Sequence, residues 1–129
     1  MPILAVVACF CQGETRLIDA GIARKKESDR LAAITQELRK MGAAITELED
    51  SLIIQGGKKL IGASVASHHD HRIALSLAVA AMAAHGATTI SDTRCIAKSY
   101  PDFAESFRQL GAKIEIHRDG SDGRDEERL

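Results

Sequence analysis

The sequence predicts a mixed α/β fold (α+β) that is assembled from a repeated unit of helices and short strands. Three observations predict it: an internal repeat, apolar helical patterns that each end at a glycine, and an alternating stretch typical of a β-hairpin. The chain has 129 residues, of which 45% are hydrophobic, so it can build one core. Only 3% of the residues are aromatic, and the core is therefore expected to be aliphatic.

The repeat relates the two halves of the chain. Residues 4–19 align with residues 77–92 at an offset of 73, and residues 38–45 align with residues 107–114 at an offset of 69. We expect a loop to absorb the difference between the offsets. Each copy is predicted to contain an apolar helix, a glycine, a short strand, a loop, an amphipathic helix, a second glycine and a second strand.

Local signals support these elements in turn. A glycine with a left-handed backbone can close the last turn of a helix, and four glycines follow apolar helical patterns: Gly13, Gly42, Gly86 and Gly111. The apolar residues of the first amphipathic helix recur at three- and four-residue spacing: Leu31, Ile34, Leu38 and Met41. Residues 43–49 and 51–55 alternate around Asp50 as the strands of a hairpin do, and residues 58–65 offer another strand.

The helices of the second copy also carry start signals. Asp70 is suited to cap the alanine-rich helix of residues 73–84, and Pro101 is suited to the first position of the last helix. The equivalent of the alanine-rich helix in the first copy is cut short, because Met1 aligns with Ala74. We therefore expect a chain cut from something longer.

Composition and charge exclude several classes of protein. The 17 basic and 18 acidic residues give a net charge of −1, which argues against binding to nucleic acid. No apolar run reaches the roughly 18 residues of a membrane span, and the apolar N-terminus lacks the basic leader of a signal peptide. Three cysteines without a framework spacing fit a reducing, cytoplasmic compartment, with Cys9 and Cys11 as small core residues. Residues 118–129 have almost no apolar content, and we expect them to be a disordered tail behind a folded region of residues 1–117.

Three polar clusters precede predicted helices, at residues 24–30, 67–72 and 97–102. A helix N-terminus carries partial positive charge, so cations there are not explained by the helix dipole. They indicate recruitment of an anion, although solvated loop charges are the alternative for any single cluster. The cations concerned are Lys26, Arg30, Arg72 and Lys98.

Two residue groups allow more than one interpretation. Glu27 lies among cations, which suits a carboxylate that passes protons near a charged substrate, but the residues alone favour a first-turn acid that helps to cap a helix. His68 and His71 are three apart, yet a zinc site needs further ligands and none is near in sequence. We therefore favour Asp70 as a helix cap and His71 as a substrate contact or structural residue, with no metal.

The same residues carry a resemblance to a known family. Residues 26–30 (Lys-Glu-Ser-Asp-Arg), 70–74 (Asp-His-Arg-Ile-Ala) and 97–103 (Ala-Lys-Ser-Tyr-Pro-Asp-Phe) resemble the C-terminal motifs of the EPSP synthases (3-phosphoshikimate 1-carboxyvinyltransferases). The resemblance runs from about residue 2 to residue 116. It implies about one and a half βαβαββ units of a C-terminal domain, as part of the inside-out α/β barrel of enolpyruvyl transferases.

The resemblance also implies a reaction and roles for the candidate residues. In this family the enolpyruvyl group of phosphoenolpyruvate passes to the 5-hydroxyl of shikimate 3-phosphate, with no cofactor. Arg30, Arg72 and Lys98 resemble ligands of phosphoenolpyruvate, and Lys26 resembles a ligand of shikimate 3-phosphate. The remaining two residues are Glu27, which resembles the acid/base, and His71, which is expected beside the substrate.

Departures from the family pattern leave alternatives open. The family's catalytic aspartate precedes the proline that matches Pro2, where this chain has Met1, and the glycine usual at position 69 is His69. The N-terminal domain with most contacts to shikimate 3-phosphate is missing, so we expect the chain alone to be inactive and to self-associate. An anion-binding or interaction module that lost the chemistry, and one half of a split enzyme, are the alternatives.

Overall fold

The computed structural model describes residues 1–98, 100–118 and 125–128. Within them the α-helices are α1 (Pro2–Phe10), α2 (Arg30–Lys40), α3 (His71–Ala83) and α4 (Phe103–Gln109). The 3₁₀ helices Gly21–Lys25 and Thr93–Lys98 precede α2 and α4. The strands are β1 (Glu14–Leu17), β2 (Ala44–Glu47), β3 (Leu52–Gln55), β4 (Ser64–Ala66), β5 (Thr89–Ser91), β6 (Glu115–Arg118) and β7 (Asp125–Arg128).

The strands form two sheets with related strand orders. The first is the antiparallel sheet β1-β3-β2, in which the predicted hairpin is confirmed by pairs running from Ala44–Gln55 to Glu47–Leu52. The second has the order β4-β5-β7-β6, and only its β4–β5 pair is parallel. β4 overlaps the end of the strand expected in residues 58–65. In the first sheet β3 lies between β1 and β2, and in the second sheet β7 lies between β5 and β6. The last strand of each copy thus lies between the other two strands of that copy.

The repeat is confirmed at the level of single hydrogen bonds. After α2, the N–H of Gly42 donates to Arg39 and that of Ala43 donates to Leu38, and the same two bonds recur after α4 at an offset of 69. This is the Schellman ending, in which the glycine takes a positive φ, here +94° at Gly42 and +102° at Gly111. Gly13 and Gly86 also have positive φ, but they lie three residues beyond the last helical residue and do not close the helix directly.

The difference between the two offsets lies in a helix and not in a loop, which corrects the expectation from the sequence. α2 has 11 residues and α4 has 7. Their N-caps, Asp29 and Asp102, are 73 apart, whereas their C-caps, Met41 and Leu110, are 69 apart. One helical turn is about 3.6 residues, so removing four residues keeps both ends in nearly the same orientation. Pro101 precedes the N-cap Asp102, so the prediction that it occupies the first helical position is wrong.

The expectation of a disordered tail over residues 118–129 is corrected in part. Arg118 ends β6, and Asp125–Arg128 forms β7, which pairs with both β5 and β6. The remaining residues, 119–124 and 129, lie outside the described residues. Strand pairing uses backbone groups, so a segment without apolar side chains can still be held where two strand edges would otherwise be unpaired.

The core is aliphatic, as predicted, with Phe103 as its aromatic addition. α1, α2 and α3 contact one another, and their facing side chains are almost fully buried together with those of the hairpin: Val6, Leu31, Ile34, Leu38, Leu52, Ile54, Ile73 and Leu77. Cys9 is buried, and burial raises the pKa of its thiol to about 11. Cys11 is exposed, so its prediction as a core residue is wrong; it follows the end of α1, where the backbone is extended. Among the described residues no helix has both the length and the apolar character that crossing a bilayer requires.

Candidate functional site

A buried ion pair joins the start of α2 to the start of α3. Asp70 is fully buried and caps α3 by accepting a hydrogen bond of 3.0 Å from the N–H of Arg72. Arg30, which is 7% exposed, donates to the same carboxylate from Nε at 2.8 Å and from Nη2 at 3.2 Å. The hydroxyl of Ser28 donates to it as well, at 2.7 Å. The two predicted clusters at residues 24–30 and 67–72 therefore meet, through a residue, Asp70, that the sequence assigned only to capping.

The bonds to Asp70 decide its charge. Burial alone would raise the pKa of this carboxyl, but the hydrogen bonds from Arg30, Ser28 and the N–H of Arg72 outweigh burial and hold the pKa below its usual value. Asp70 is therefore ionised at neutral pH, and it neutralises part of the charge of Arg30. A carboxyl whose pKa is lowered by folding stabilises the fold above its ordinary pKa of 3.8, and this contribution is lost as the pH falls through the folded value.

Glu27 lies at the edge of this pair, where it can meet a ligand. Its side chain is 54% exposed, and Nη2 of Arg30 donates to its Oε2. The helix-cap interpretation of Glu27 is wrong, because Asp29 is the N-cap of α2 and accepts a bond from the N–H of Ala32 at 3.1 Å. Arg30 thus connects a buried carboxylate with an exposed one.

Two other cations of the first cluster differ in role, because Arg24 is structural whereas Lys26 is exposed. Arg24 donates to the carboxylates of Asp29 and Glu47, at 3.0 and 2.7 Å, and to backbone carbonyls of the hairpin turn. It fastens the hairpin to the start of α2. Lys26 is exposed at the end of the first 3₁₀ helix, next to Glu27.

A cavity of about 250 Å³ opens beside the start of α3. Its wall is mostly apolar and comes from α1, α3 and the α4 region, with Arg72 and the first residue of the chain at its rim; the lining residues are Met1, Pro2, Ile3, Arg72, Leu75, Ser76, Val79, Tyr100 and Phe107. Arg72 is exposed and His71 is half-buried. Burial, followed by repulsion from Arg72 and Arg30, lowers the pKa of the Met1 amino group. Arg72 and Arg30 therefore both act on this region through their positive charges.

Lys98 cannot be placed with the other predicted site residues. It is the last residue of the second 3₁₀ helix, and its side chain lies outside the described part of the chain. Its role as a ligand stays a prediction.

The histidines before α3 contact carboxylates. His68 and His69 both have φ of +57°, so the unusual position 69 does adopt the left-handed conformation that favours glycine. Nε2 of His68 lies 3.3 Å from Oε2 of Glu37, and Nδ1 of His69 contacts the carboxylate of Asp92. Among the residues that the structure describes, no three His, Cys, Asp or Glu side chains are grouped as metal ligands.

Glu37 is a site-adjacent residue that the sequence analysis missed. It is fully buried in α2, although it stands on a helix with charged neighbours. The available signal was its position three residues after Ile34, on the apolar side of the helix, where a carboxylate requires partners.

Comparisons with known proteins identify the family to which the chain belongs. The family model for EPSP synthase (3-phosphoshikimate 1-carboxyvinyltransferase) matches residues 1–107. The 3-phosphoshikimate 1-carboxyvinyltransferase of Synechococcus sp. is 56% identical over 110 residues, which are 85% of this chain and 25% of the relative. That of Clostridium acetobutylicum is 46% identical over 114 residues, or 88% of this chain and 27% of the relative. The chain thus spans about a quarter of the length of these relatives.

Solved structures show the same relationship. An EPSP synthase from Acinetobacter baumannii superposes with a TM-score of 0.86 at 37% identity, covering 91% of this chain and 28% of that one. An enolpyruvyl transferase from Streptomyces tendae, with a TM-score of 0.61 and 18% identity, covers 98% of this chain and 28% of that one, and it shares the fold. With a family model that matches most of its length, this chain belongs to the EPSP synthase family.

Proposed function

We propose that the chain supplies part of the active site of a 3-phosphoshikimate 1-carboxyvinyltransferase. This enzyme moves the enolpyruvyl group of phosphoenolpyruvate to the 5-hydroxyl of shikimate 3-phosphate, a step of chorismate and aromatic amino acid biosynthesis. The observation that carries the proposal is the match over residues 1–107, which spans the Arg30–Asp70 pair, exposed Glu27 and exposed Arg72.

The proposed reaction needs one group that both gives and takes a proton. The methylene carbon of phosphoenolpyruvate gains a proton while the 5-hydroxyl oxygen bonds to the neighbouring carbon and loses its own proton. The phosphate then leaves with the electrons of its C–O bond, and the methyl group loses a proton to restore the double bond. Glu27 suits this task because it is half-exposed and is held by a single described partner, Arg30.

The anionic groups of the substrates require cations that are not already neutralised. Arg72 is exposed at the rim of the cavity, and we assign it to the carboxylate or phosphate of phosphoenolpyruvate together with Lys98. Arg30 is paired with two carboxylates, whose negative charges offset its own, so its proposed contribution is as much the orientation of Glu27 as contact with phosphoenolpyruvate. Lys26 is proposed to contact shikimate 3-phosphate, with His71 beside the substrate.

The proposal extends to the architecture and the surroundings of the chain. Residues 1–117 would form about one and a half βαβαββ units of an inside-out barrel domain, and an N-terminal domain would supply the rest of the acceptor site. The chain alone is then inactive, because catalytic groups that act as a unit fail together. Its apolar faces on α1, including Leu4 and Val7 at 54% and 51% exposure, favour self-association in isolation. We propose a cytoplasmic location.

A chimera tests the activity. The aligned 110-residue part of the Synechococcus relative is replaced by this chain, and phosphate release from phosphoenolpyruvate is measured with and without shikimate 3-phosphate. Glu27→Gln is expected to lower the rate of the chimera by at least about a hundredfold, the usual share of a general acid/base. The exposed Lys58→Ala serves as the control and should leave the rate unchanged. A Glu27→Gln chimera as fast as its parent contradicts the proposal.

Ligand-induced stabilisation tests the anion site in the isolated chain. Phosphoenolpyruvate is expected to raise the melting temperature, and added salt should weaken the effect. Arg72→Ala should cost about 1.5–3 kcal/mol of the binding free energy, as the loss of a charge-assisted hydrogen bond does. If Lys58→Ala weakens binding as much as Arg72→Ala, diffuse charge holds the anion and the assigned site is wrong. An anion-binding module that lost the chemistry would pass this test and fail that of the chimera.

A further inference from the structure

Glu37 is a fully buried carboxylate that the proposed reaction does not use. It projects from the middle of α2, and its Oε1 accepts hydrogen bonds from the N–H of Ala66 at 2.8 Å and from Nζ of Lys40 at 2.7 Å. Its Oε2 lies 3.3 Å from Nε2 of His68. Burial alone would raise the pKa of Glu37, but the bonds from Lys40, Ala66 and His68 outweigh burial and hold the pKa below its usual value. A buried, ionised carboxylate that bonds to another segment fixes that segment in place.

The segment that Glu37 holds is a turn with an unfavourable backbone. The turn runs from Ser67 to Asp70 and is closed by a bond from the N–H of Asp70 to the carbonyl of Ser67 at 3.1 Å. Both central residues, His68 and His69, have positive φ without being glycine. Such a conformation persists only where neighbouring groups determine it.

Two sets of contacts hold this turn, one from each copy of the repeat. On the side of the first copy, Glu37 bonds to the backbone just before the turn and to the ring of His68. On the side of the second copy, the hydroxyl of Ser67 donates to the carbonyl of Asp92 at 2.6 Å, and His69 contacts the carboxylate of Asp92. We expect the loss of either set to free one of the two positive-φ residues.

The turn ends at the residue that orients the candidate site. Asp70 follows His69 directly, and its carboxylate holds the guanidinium of Arg30, which in turn bonds to Glu27. A displacement of the turn would therefore move Asp70 and alter the direction of Arg30. A positional error of about 1 Å in such a chain of contacts is enough to lower a catalytic rate strongly.

We propose that Glu37 is a positioning residue that sets the turn of residues 67–70, and through Asp70 the guanidinium of Arg30 against Glu27. Its effect on the reaction rests on the proposed function, whereas its effect on the geometry does not. Lys40 is the natural control, because its side chain is 43% exposed and contacts Glu37 without contacting the turn. Removing Lys40 perturbs the same carboxylate but leaves the bonds to Ala66 and His68 in place.

Hydrogen exchange in the full chain tests the geometry. The two reporters are the N–H of Arg72, which bonds to Asp70, and the Nε–H of Arg30. Glu37→Leu, which keeps the volume and removes the bonds, should speed exchange at both reporters by about tenfold or more relative to the N–H of Leu38 in α2. Lys40→Ala should change this ratio by less than about twofold, and Glu37→Gln, which keeps an acceptor for Ala66, should restore most of the protection.

A second variant keeps the test decisive if Glu37→Leu does not fold. His68→Asn shortens the side chain out of reach of Glu37 but tolerates positive φ, and it should expose the same two reporters. Uniform acceleration of all amides in both variants would show that Glu37 only adds stability, and the inference would be wrong. A chain in which the reporters respond as expected but phosphoenolpyruvate gives no thermal shift would contradict the proposed function and leave the positioning role of Glu37 intact.

Discussion

α2 and α4 occupy the same place in the two copies, but their first turns differ in chemistry. Each helix begins directly after an aspartate N-cap, with Arg30 as the first residue of α2 and Phe103 as the first residue of α4. Both residues are buried, at 7% and 1% exposure. Arg30 bonds to Asp70, whereas Phe103 packs against Phe107 with ring centroids 4.4 Å apart.

The difference teaches that one scaffold position can anchor a helix in two ways. An apolar anchor needs only complementary packing, while a buried cation needs a carboxylate with matching geometry. The first copy uses the buried cation, which has the stricter requirements, and it is also the copy that contains Glu27 and Lys26. At the opposite end of the two helices the copies are alike, because Arg39 and Arg108 each donate two bonds to one carbonyl, of Ile45 and Ile114.

The largest effect is expected when the anchor of the first copy is exchanged for that of the second. Arg30→Phe leaves Asp70 buried without its cation, and the free energy of unfolding should fall by about 3–5 kcal/mol. Urea denaturation measures the loss. Arg16→Ala is the control, since its pair with Glu14 is exposed and solvent screens the attraction, so its loss should be much smaller. Similar losses in both variants would mean that solvent screens the Arg30–Asp70 pair.

A smaller and matched effect is expected at the helix ends. Arg39→Ala and Arg108→Ala each remove a pair of bonds to a partly buried carbonyl, and each should lower the free energy of unfolding by about 1 kcal/mol. The two losses should agree within about 0.5 kcal/mol, because their geometry is the same. Denaturation curves of the two variants, measured side by side, would contradict the equivalence of the copies if one loss were more than twice the other.

The smallest effect is expected at position 69, which lies between the copies. His69→Gly relieves the strain of a positive φ, which should raise the free energy of unfolding by about 0.5–1 kcal/mol. The loss of the contact between His69 and Asp92 reduces this gain. Gly111→Ala has free space for its added Cβ but a φ of +102°, so it should lower the free energy by about 1 kcal/mol. Thermal melts of both variants test the pair. A destabilised His69→Gly variant would show that the contact with Asp92 outweighs the backbone strain.

The sequence was sufficient wherever the signal is local. Gly42 and Gly111 close their helices as predicted, Asp70 caps α3, and the strands on either side of Asp50 pair as a hairpin. Each of these features depends on the backbone preference or capping ability of residues within one short segment. The resemblance of three motifs to one family correctly predicted the family to which the chain belongs.

The sequence was insufficient where partners come from distant segments. The burial of Arg30 depends on Asp70, 40 residues later, and Glu37 binds the turn of His68, 31 residues later. Composition also suggested disorder at Asp125–Arg128, whereas this segment forms β7 between β5 and β6. Composition is a poor guide there, because strand pairing uses backbone groups.

The extra turn of α2 places the start of this helix farther from its glycine ending. With a rise of about 1.5 Å per residue, four more residues carry the start of α2 roughly 6 Å farther from its glycine ending than the start of α4. Both endings are fixed by identical bonds, so the added length is displaced entirely toward Asp70. The four residues rotate the first turn by only about 40° beyond a full circle, which preserves the buried direction of its first side chain. The first copy thus has a longer helix with the same C-terminal ending. The length of α2, as much as the identity of Arg30, determines that a positive charge lies where α3 begins.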